Sequence, residues 1–472
     1  MSRGEELIKN TIIITIGKIA TQFVSFILLP LYTTMLTTVE YGTVDLFTTY
    51  IQLLLPLVTL LIEQGAFRFL LECEKNEFKK KIIITNSCLL IIFQCLLYSI
   101  LFIVLSSYIK NAFKYYVLII LIVSSFSGWA LQIARGFRNL TIYALGSFLA
   151  TFISILFNVL FIVVFKMGVK GMLIATIISN IGCFFYIFIK LKLHKYFDMI
   201  IIDRTIARDM IKYSVPLIPN QLSLWIINSS DRSIVNLFLG TAANGILAVS
   251  HKFSSIYSTI FGMFQLSWHE MGAVHLNDDD GDEFFTDMFA QAYRFFSAMC
   301  IGLVAIIPFI FPLLIKKSFA EAYYTIPIYL VAVLCNISVG LLGVVYVAMK
   351  NTSEIAKSTI YSGIINLLVH LGLIKFFGLY AAAISTYLSY FCIMVYRMID
   401  TQKYIKIKYE YHIYLISSIL VILVMIPYYI NNLVLRLLGL LIALLYAILV
   451  NRKLVNIIVL KLKEVINIKR CK

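Results

Sequence analysis

SVPLIPNQLSLWIINSSDRSIVNLFLG, residues Ser214–Gly240, has the length and apolar content of a membrane span. It also carries Pro216, Pro219, Asn220, Gln221, Asn228, Asn236 and an adjacent Asp231–Arg232 pair. A charged side chain at the centre of a bilayer costs about 2.5–3.5 kcal/mol on insertion scales. A helix facing hydrocarbon would not keep two of them side by side. The stretch therefore reads as one helix of a larger bundle, turned toward a wetted interior.

The remainder of the chain supplies that bundle. Of 472 residues, 61% are hydrophobic and only 14% are charged, whereas soluble domains carry about a quarter charged residues. Apolar runs of about 20 residues, enough to cross a bilayer, recur fourteen times. They fall at 10–32, 43–62, 82–106, 114–134, 141–165, 169–190, 213–239, 244–268, 288–314, 321–349, 355–376, 379–399, 411–430 and 433–451. No small-residue cleavage site follows the first run, so it is expected to stay as a helix. The predicted class is an all-α integral membrane protein.

The distribution of basic residues sets the orientation. With a cytoplasmic N-terminus, cytoplasmic segments hold 28 of the 40 Lys and Arg, outer loops hold 7, and helix interiors hold 5. That asymmetry is the positive-inside pattern. It places both termini in the cytoplasm and makes the +16 net charge a matter of topology, with no nucleic-acid partner implied. The eight cysteines include no CxxC pair and read as small core residues. The acidic turn Leu276–Glu283 has Leu where a calcium loop needs its first ligand. No zinc spacing, P-loop or GxSxG motif is present, so neither a metal nor an organic cofactor is expected.

The sequence repeats itself. YGTVDLFTTYIQLLLPLVTLLI from Tyr41 matches NGILAVSHKFSSIYSTIFGMFQ from Asn244, with Gly42 and Gly245 in step. RNLTIYA from Arg138 matches KNTSEIA from Lys350, and the Gly168–Gly171 stretch matches that at Gly378. The copies lie six spans apart, an even number, so they share one orientation. The expected organisation is a six-helix lobe over 1–192, a second over 193–402, and a terminal helix pair with a basic tail over 403–472.

Polar residues line up along helix faces. Thr11, Thr15, Lys18, Gln22 and Ser25 share a face of the first span. Asp45, Thr49, Gln52, Pro56, Thr59 and Glu63 share one of the second, and Ser147, Thr151, Ser154 and Asn158 one of the fifth. Single polar residues in a bundle usually bond between helices, but sustained stripes on several helices point to water. Because a short turn joins the seventh and eighth spans, Asp231, Arg232, His251 and Lys252 are expected at one depth. The cation candidates for an anionic ligand are Lys18, Arg232 and Lys252, with Gln22 and Asn228 beside them. Arg294 joins this set, although its place near a helix end also lets its stem snorkel. Asp231, Asp45 and Glu63 are the carboxylates placed to sense an ion gradient. Pro216 and Pro219 mark either a bend within the seventh helix or its first turn.

The runs PLIPN (216–220) and DRSIVNLFLGTAANGILAVSHKFSSI (231–256), with the echo LLPLYTTMLTTVEYGTVDLFTTY (28–50), resemble the bacterial polysaccharide repeat-unit flippases. These belong to the multidrug/oligosaccharidyl-lipid/polysaccharide exporter superfamily, and the likeness spans essentially the whole chain. It implies two six-helix lobes and movement of an undecaprenyl-diphosphate-linked oligosaccharide to the outer leaflet of a bacterial plasma membrane. It also implies a cationic lumen, a role carried here to Lys18, Arg232 and Lys252. A polysaccharide polymerase and assembly proteins are the implied partners, and a proton or sodium gradient the implied driving force. Three other readings stay open: a multidrug cation exporter, whose cavity would be dominated by acids; a peptidoglycan-precursor flippase; and a membrane-embedded glycosyltransferase, which the short outer loops disfavour.

Overall fold

The computed structural model describes residues 26–452 and 456, apart from 74–75, 109–110, 199–200, 276–277 and 350. Its elements are α1 (Leu29–Met35), α2 (Thr38–Thr59), α3 (Ile62–Glu72), α4 (Glu77–Leu105), α5 (Lys114–Gly136), α6 (Leu140–Val159), α7 (Gly168–Lys190) and α8 (Arg204–Ser214). There follow α9 (Ile218–Leu239), α10 (Thr241–His275), α11 (Gly281–Leu314), α12 (Ala322–Ala348), α13 (Thr352–Phe377), α14 (Leu379–Asp400), α15 (Tyr411–Tyr429) and α16 (Leu433–Val450). Among the described residues there is no strand. Among the described residues eleven helices are long and apolar enough to cross a membrane, so this is a multi-pass membrane protein. Helices α9 and α10, where the seventh and eighth spans were expected, are not among those eleven. Most of the expected first span lies outside the described residues.

Local sequence explains where the helices begin. Thr37 and Glu40 form a reciprocal capping box on α2: Thr37 Oγ1 accepts from the Glu40 amide at 3.2 Å, and Glu40 Oε2 accepts from the Thr37 amide at 2.9 Å. Asn76, Asp203 and Asn432 cap α4, α8 and α16 through their side-chain oxygens. Gly240 separates α9 from α10 at φ 87°, a conformation that costs glycine little.

Two expectations about continuity are corrected. The span predicted over 43–62 breaks at Leu60 and Leu61, both left-handed (φ 49° and 55°). Glu63 therefore lies in the first turn of α3 and does not continue the polar face of α2. The span predicted over 213–239 starts later, at Ile218, after a 3₁₀ turn over Val215–Leu217 that contains Pro216. Pro219 sits in the first turn of α9, where its missing N–H breaks no helical bond.

The chain divides into two compact units, 1–248 and 249–472, with the boundary inside α10. In the first, α3, α4, α5, α7 and α8 enclose a core that includes Ile62, Leu70, Ile91, Trp129, Cys183 and Met210. Trp129 donates its indole N–H to Ser87 Oγ at 2.9 Å, so the largest buried ring leaves no polar atom unsatisfied. Helix α9 lies along α2, and Trp225 Nε1 donates to the Thr49 carbonyl at 2.8 Å. The first unit thus includes α8 and α9.

In the second unit α12 is the most enclosed span. Trp268 and Tyr257 are buried and donate to the carbonyls of Leu341 (2.9 Å) and Phe296 (2.7 Å). Helices α15 and α16 pack on α11, so residues 411–450 belong to the body of this unit. Tyr323 and Tyr428 stack at 4.1 Å and each donates its hydroxyl to the other's carbonyl, at 2.7 and 2.6 Å. Cys88, Cys95, Cys183, Cys300 and Cys335 are buried, Cys73 is half-buried and Cys392 exposed.

Candidate functional site

Asp45 on α2 and Arg232 on α9 meet in the first unit. Arg232 Nε donates to Asp45 Oδ2 at 3.0 Å, and its Nη1 lies 3.6 Å from Asp231 Oδ1. Nη1 also donates to the Asn228 carbonyl at 3.1 Å, one turn back along α9. Asp231 Oδ1 is held in place by the Arg232 amide at 2.9 Å. On the other side, Asn244 Nδ2 donates to the Gly42 carbonyl at 3.0 Å and lies 3.4 Å from Asp45 Oδ2.

Antiparallel packing of α2 and α9 produces this arrangement. Trp225 meets Thr49 and, seven residues on, Arg232 meets Asp45 four residues back. Seven and four residues are both whole numbers of turns to within a fraction, so each helix presents its two contacts on one face. The Asp231 side chain is 6% exposed, Arg232 17% and Asp45 21%. The triad is thus desolvated enough for its attraction to matter, yet Arg232 and Asp45 remain open to water. A group bearing negative charge could compete with Asp45 for the guanidinium, and a proton on Asp45 would weaken its hold.

This geometry corrects the charge count for this part of the molecule. The sequence set two cations, Arg232 and Lys252, against the single carboxylate of Asp231. In the first unit one guanidinium faces two carboxylates, Asp231 and Asp45. Lys252 and His251 lie in the second unit, both half-buried on α10, and His251 packs against the Tyr329 ring at 4.5 Å.

Lys18 and Gln22 lie outside the described residues. Arg294 Nε donates to Glu410 Oε2 at 3.0 Å, and Nη2 pairs with Oε1 of the same carboxylate. A bidentate pair of this kind joins α11 to the start of α15 at Arg294 and Glu410. The Asn228 side chain is exposed and donates to the Leu224 carbonyl at 2.8 Å. Glu63 sits beyond the α2 span, in the first turn of α3, with Oε2 buried and unpartnered; burial pushes its carboxyl up to about 7. Among the described residues no cluster of His, Cys, Asp and Glu could hold a metal.

Asn244 is the member of the site that sequence reading missed. The repeat alignment pairs it with Tyr41 beside the matched glycines, and that pairing was the available signal.

Residues 7–267, more than half of the chain, match the family model described as polysaccharide biosynthesis protein. No curated protein sequence matches. Among solved structures, the chain is similar to an inward-facing multidrug resistance MATE family transporter of the MOP superfamily, at 12% identity and TM-score 0.69, covering 81% of this chain and 94% of that one. It is similar to the lipid II flippase MurJ in an inward closed conformation, at 15% identity and TM-score 0.69, covering 92% and 99%. It is also similar to a point mutant of the Vibrio cholerae MATE transporter VcmN, at 13% identity and TM-score 0.55, covering 84% and 96%. The chain is a member of the polysaccharide biosynthesis protein family, built on the fold of the MOP-superfamily transporters.

Proposed function

We propose that this protein flips undecaprenyl-diphosphate-linked oligosaccharide repeat units from the cytoplasmic to the outer leaflet of a bacterial plasma membrane. The observation that carries the reading is the Asp45–Arg232–Asp231 triad, a water-accessible guanidinium on the transporter fold of a polysaccharide biosynthesis protein. A diphosphate-sugar headgroup is multiply charged and heavily hydrated, so its passage through hydrocarbon unaided is prohibitive. A wetted, polar path lowers that barrier while the polyprenyl tail stays in lipid. In this proposal the diphosphate displaces Asp45 from Arg232, and the displaced carboxylate takes up a proton or sodium ion. Ion-gradient coupling and alternating access then follow from one exchange of partners. The basic residues favour cytoplasmic termini, and a polysaccharide polymerase would receive the flipped unit.

The test is complementation of a strain lacking the protein. Arg232→Ala and Lys252→Ala should each reduce surface polymer well beyond any fall in protein abundance, which is measured alongside. Full polymer from both variants would remove the basis of this reading. The second carboxylate beside Arg232 favours one rival, a multidrug cation exporter; resistance to cationic dyes, with no dependence of surface polymer on the protein, would decide for it.

A further inference from the structure

Arg397 counts in the sequence as one more positive residue at the cytoplasmic end of a span. In the structure it is 4% exposed, on the last turns of α14. Its Nε and Nη2 donate to Ser358 Oγ at 3.2 and 2.8 Å, and its Nη1 donates to the Val339 carbonyl at 3.0 Å. The guanidinium lies 5.7 Å from the centre of the Tyr346 ring. Gly343 on α12 leaves room for it, since a Cβ there would fall 2.9 Å from Nη1. All of these groups are neutral. The neighbouring carboxylate, Asp400, accepts instead from the Tyr346 hydroxyl at 2.8 Å and from the Lys403 ammonium at 2.6 Å. Among the described residues no carboxylate is ion-paired with Arg397, whose five N–H donors make three bonds. Buried arginine is ordinarily paired.

The guanidinium also borders a cavity. A space of about 300 Å³ within the second unit is lined by Arg397 together with Ser258, Gln265, Asn336 and Thr359. Phe261 supplies an aromatic wall, and Gly262 opens the floor: a Cβ at Gly262 would meet nothing within 4 Å. The volume is at the small end for ligand pockets. Hydroxyls and amides that donate and accept, one cation and one ring face are the donor set for a sugar bearing an acid.

We propose that this cavity is a subsite for an acidic sugar, with Arg397 taking the carboxylate in its planar fork and the Gln265, Asn336 and Thr359 side chains taking ring hydroxyls. One positive charge and two unused donors match one carboxylate. A diphosphate would leave charge uncompensated beside a single guanidinium. The proposal rests on the flippase reading and narrows its substrate class to glycans that contain a uronic-acid type residue.

The experiment titrates the purified full-length protein in detergent with glucuronate, glucose or pyrophosphate. The readout is intrinsic tryptophan fluorescence, since Trp268 bonds the Leu341 carbonyl next to the cavity wall at Gly340. Glucuronate should bind, with glucose and pyrophosphate weaker by roughly tenfold or more. Arg397→Gln should abolish the response to glucuronate. Because that change also removes a donor to Ser358 Oγ and the Val339 carbonyl, Gly262→Leu serves as a second variant that fills the cavity without touching the arginine's bonds. It should weaken glucuronate by the same roughly tenfold. No response of the wild-type protein to glucuronate, an equal response to glucose, an equal or stronger response to pyrophosphate, or an unaltered Gly262→Leu titration would each overturn the subsite. Surface polymer in the complemented strain reads the flippase assignment separately. Polymer export without glucuronate binding removes the subsite alone, and export independent of the protein removes the flippase.

Discussion

Gly42 and Gly245, matched positions of the internal repeat, are in backbone contact. A Cβ at Gly42 would fall 2.1 Å from the Thr241 carbonyl oxygen and 2.7 Å from the Gly245 nitrogen. A Cβ at Gly245 would fall 2.1 Å from the Thr38 carbonyl oxygen and 3.0 Å from the Gly42 nitrogen. The contact is reciprocal: the first turn of α2 meets the first turn of α10 through equivalent atoms. It also sets the position of Asn244, which reaches the Gly42 carbonyl and Asp45. Gly42→Ala and Gly245→Ala should each cost about 1–3 kcal/mol, or prevent assembly, because backbone cannot move aside as a side chain can. Thermal unfolding of detergent-purified variants checks this. Gly128→Ala and Gly372→Ala, where a Cβ meets nothing within 4 Å, should be close to neutral.

The Asp45–Arg232 bond joins α2 to α9 with both side chains partly open to water. Asp45→Asn should lower stability by about 1–3 kcal/mol, the scale of a hydrogen bond to a charged group. Arg232→Lys should fail to restore transport, since one ammonium cannot reproduce a fork held by Asp45 and the Asn228 carbonyl. A double-mutant cycle on Asp45→Asn and Arg232→Gln, read by thermal shift, should give a coupling energy clearly above zero. Strict additivity would mean that the bond does not form in the membrane.

Arg294 predicts a contrasting phenotype. Paired with Glu410 across α11 and the start of α15, it supports structure. Arg294→Gln should reduce surface polymer only in proportion to protein abundance. A loss of polymer at unchanged abundance would return Arg294 to the substrate path.

Glu63 gives a pH dependence with a definite sign. Burial raises its folded-state carboxyl from the usual carboxylate range to about 7, so the folded protein prefers the protonated form. Its contribution to stability is fully present below the unfolded value, about 4.3, and is lost as pH rises through about 7. The loss is on the order of 3 kcal/mol. Glu63→Gln should flatten this part of the pH–stability curve, measured by thermal unfolding between mildly acidic and mildly alkaline pH. An unchanged curve would show that the carboxyl is solvated.

Much of this protein was legible in its order of residues because a bilayer imposes one-dimensional rules. A span needs about 20 apolar residues and a helical backbone, and loop charge orients it. The stretch around Asp231–Arg232 stood out for the same reason: charge within an apolar run is expensive wherever the chain goes. Matched glycines at 42 and 245 were visible as a repeat. Helix interruptions were less so. The left-handed pair Leu60–Leu61 has no glycine or asparagine to announce it, and it moved Glu63 to another helix.

By itself, then, the sequence determined that the chain is helical, where most of its spans lie, and that Asp231 and Arg232 need polar surroundings. Only tertiary structure decided which partners those charges have. Arg232 is neutralised by Asp45 from 187 residues away and Arg294 by Glu410 from 116, whereas Arg397 is buried among neutral groups beside a polar cavity. The reason is physical: hydropathy and loop charge are summed along one segment, but the electrostatic state of a buried cation depends on atoms within about 4 Å, and those come from whichever helix the packing brings alongside.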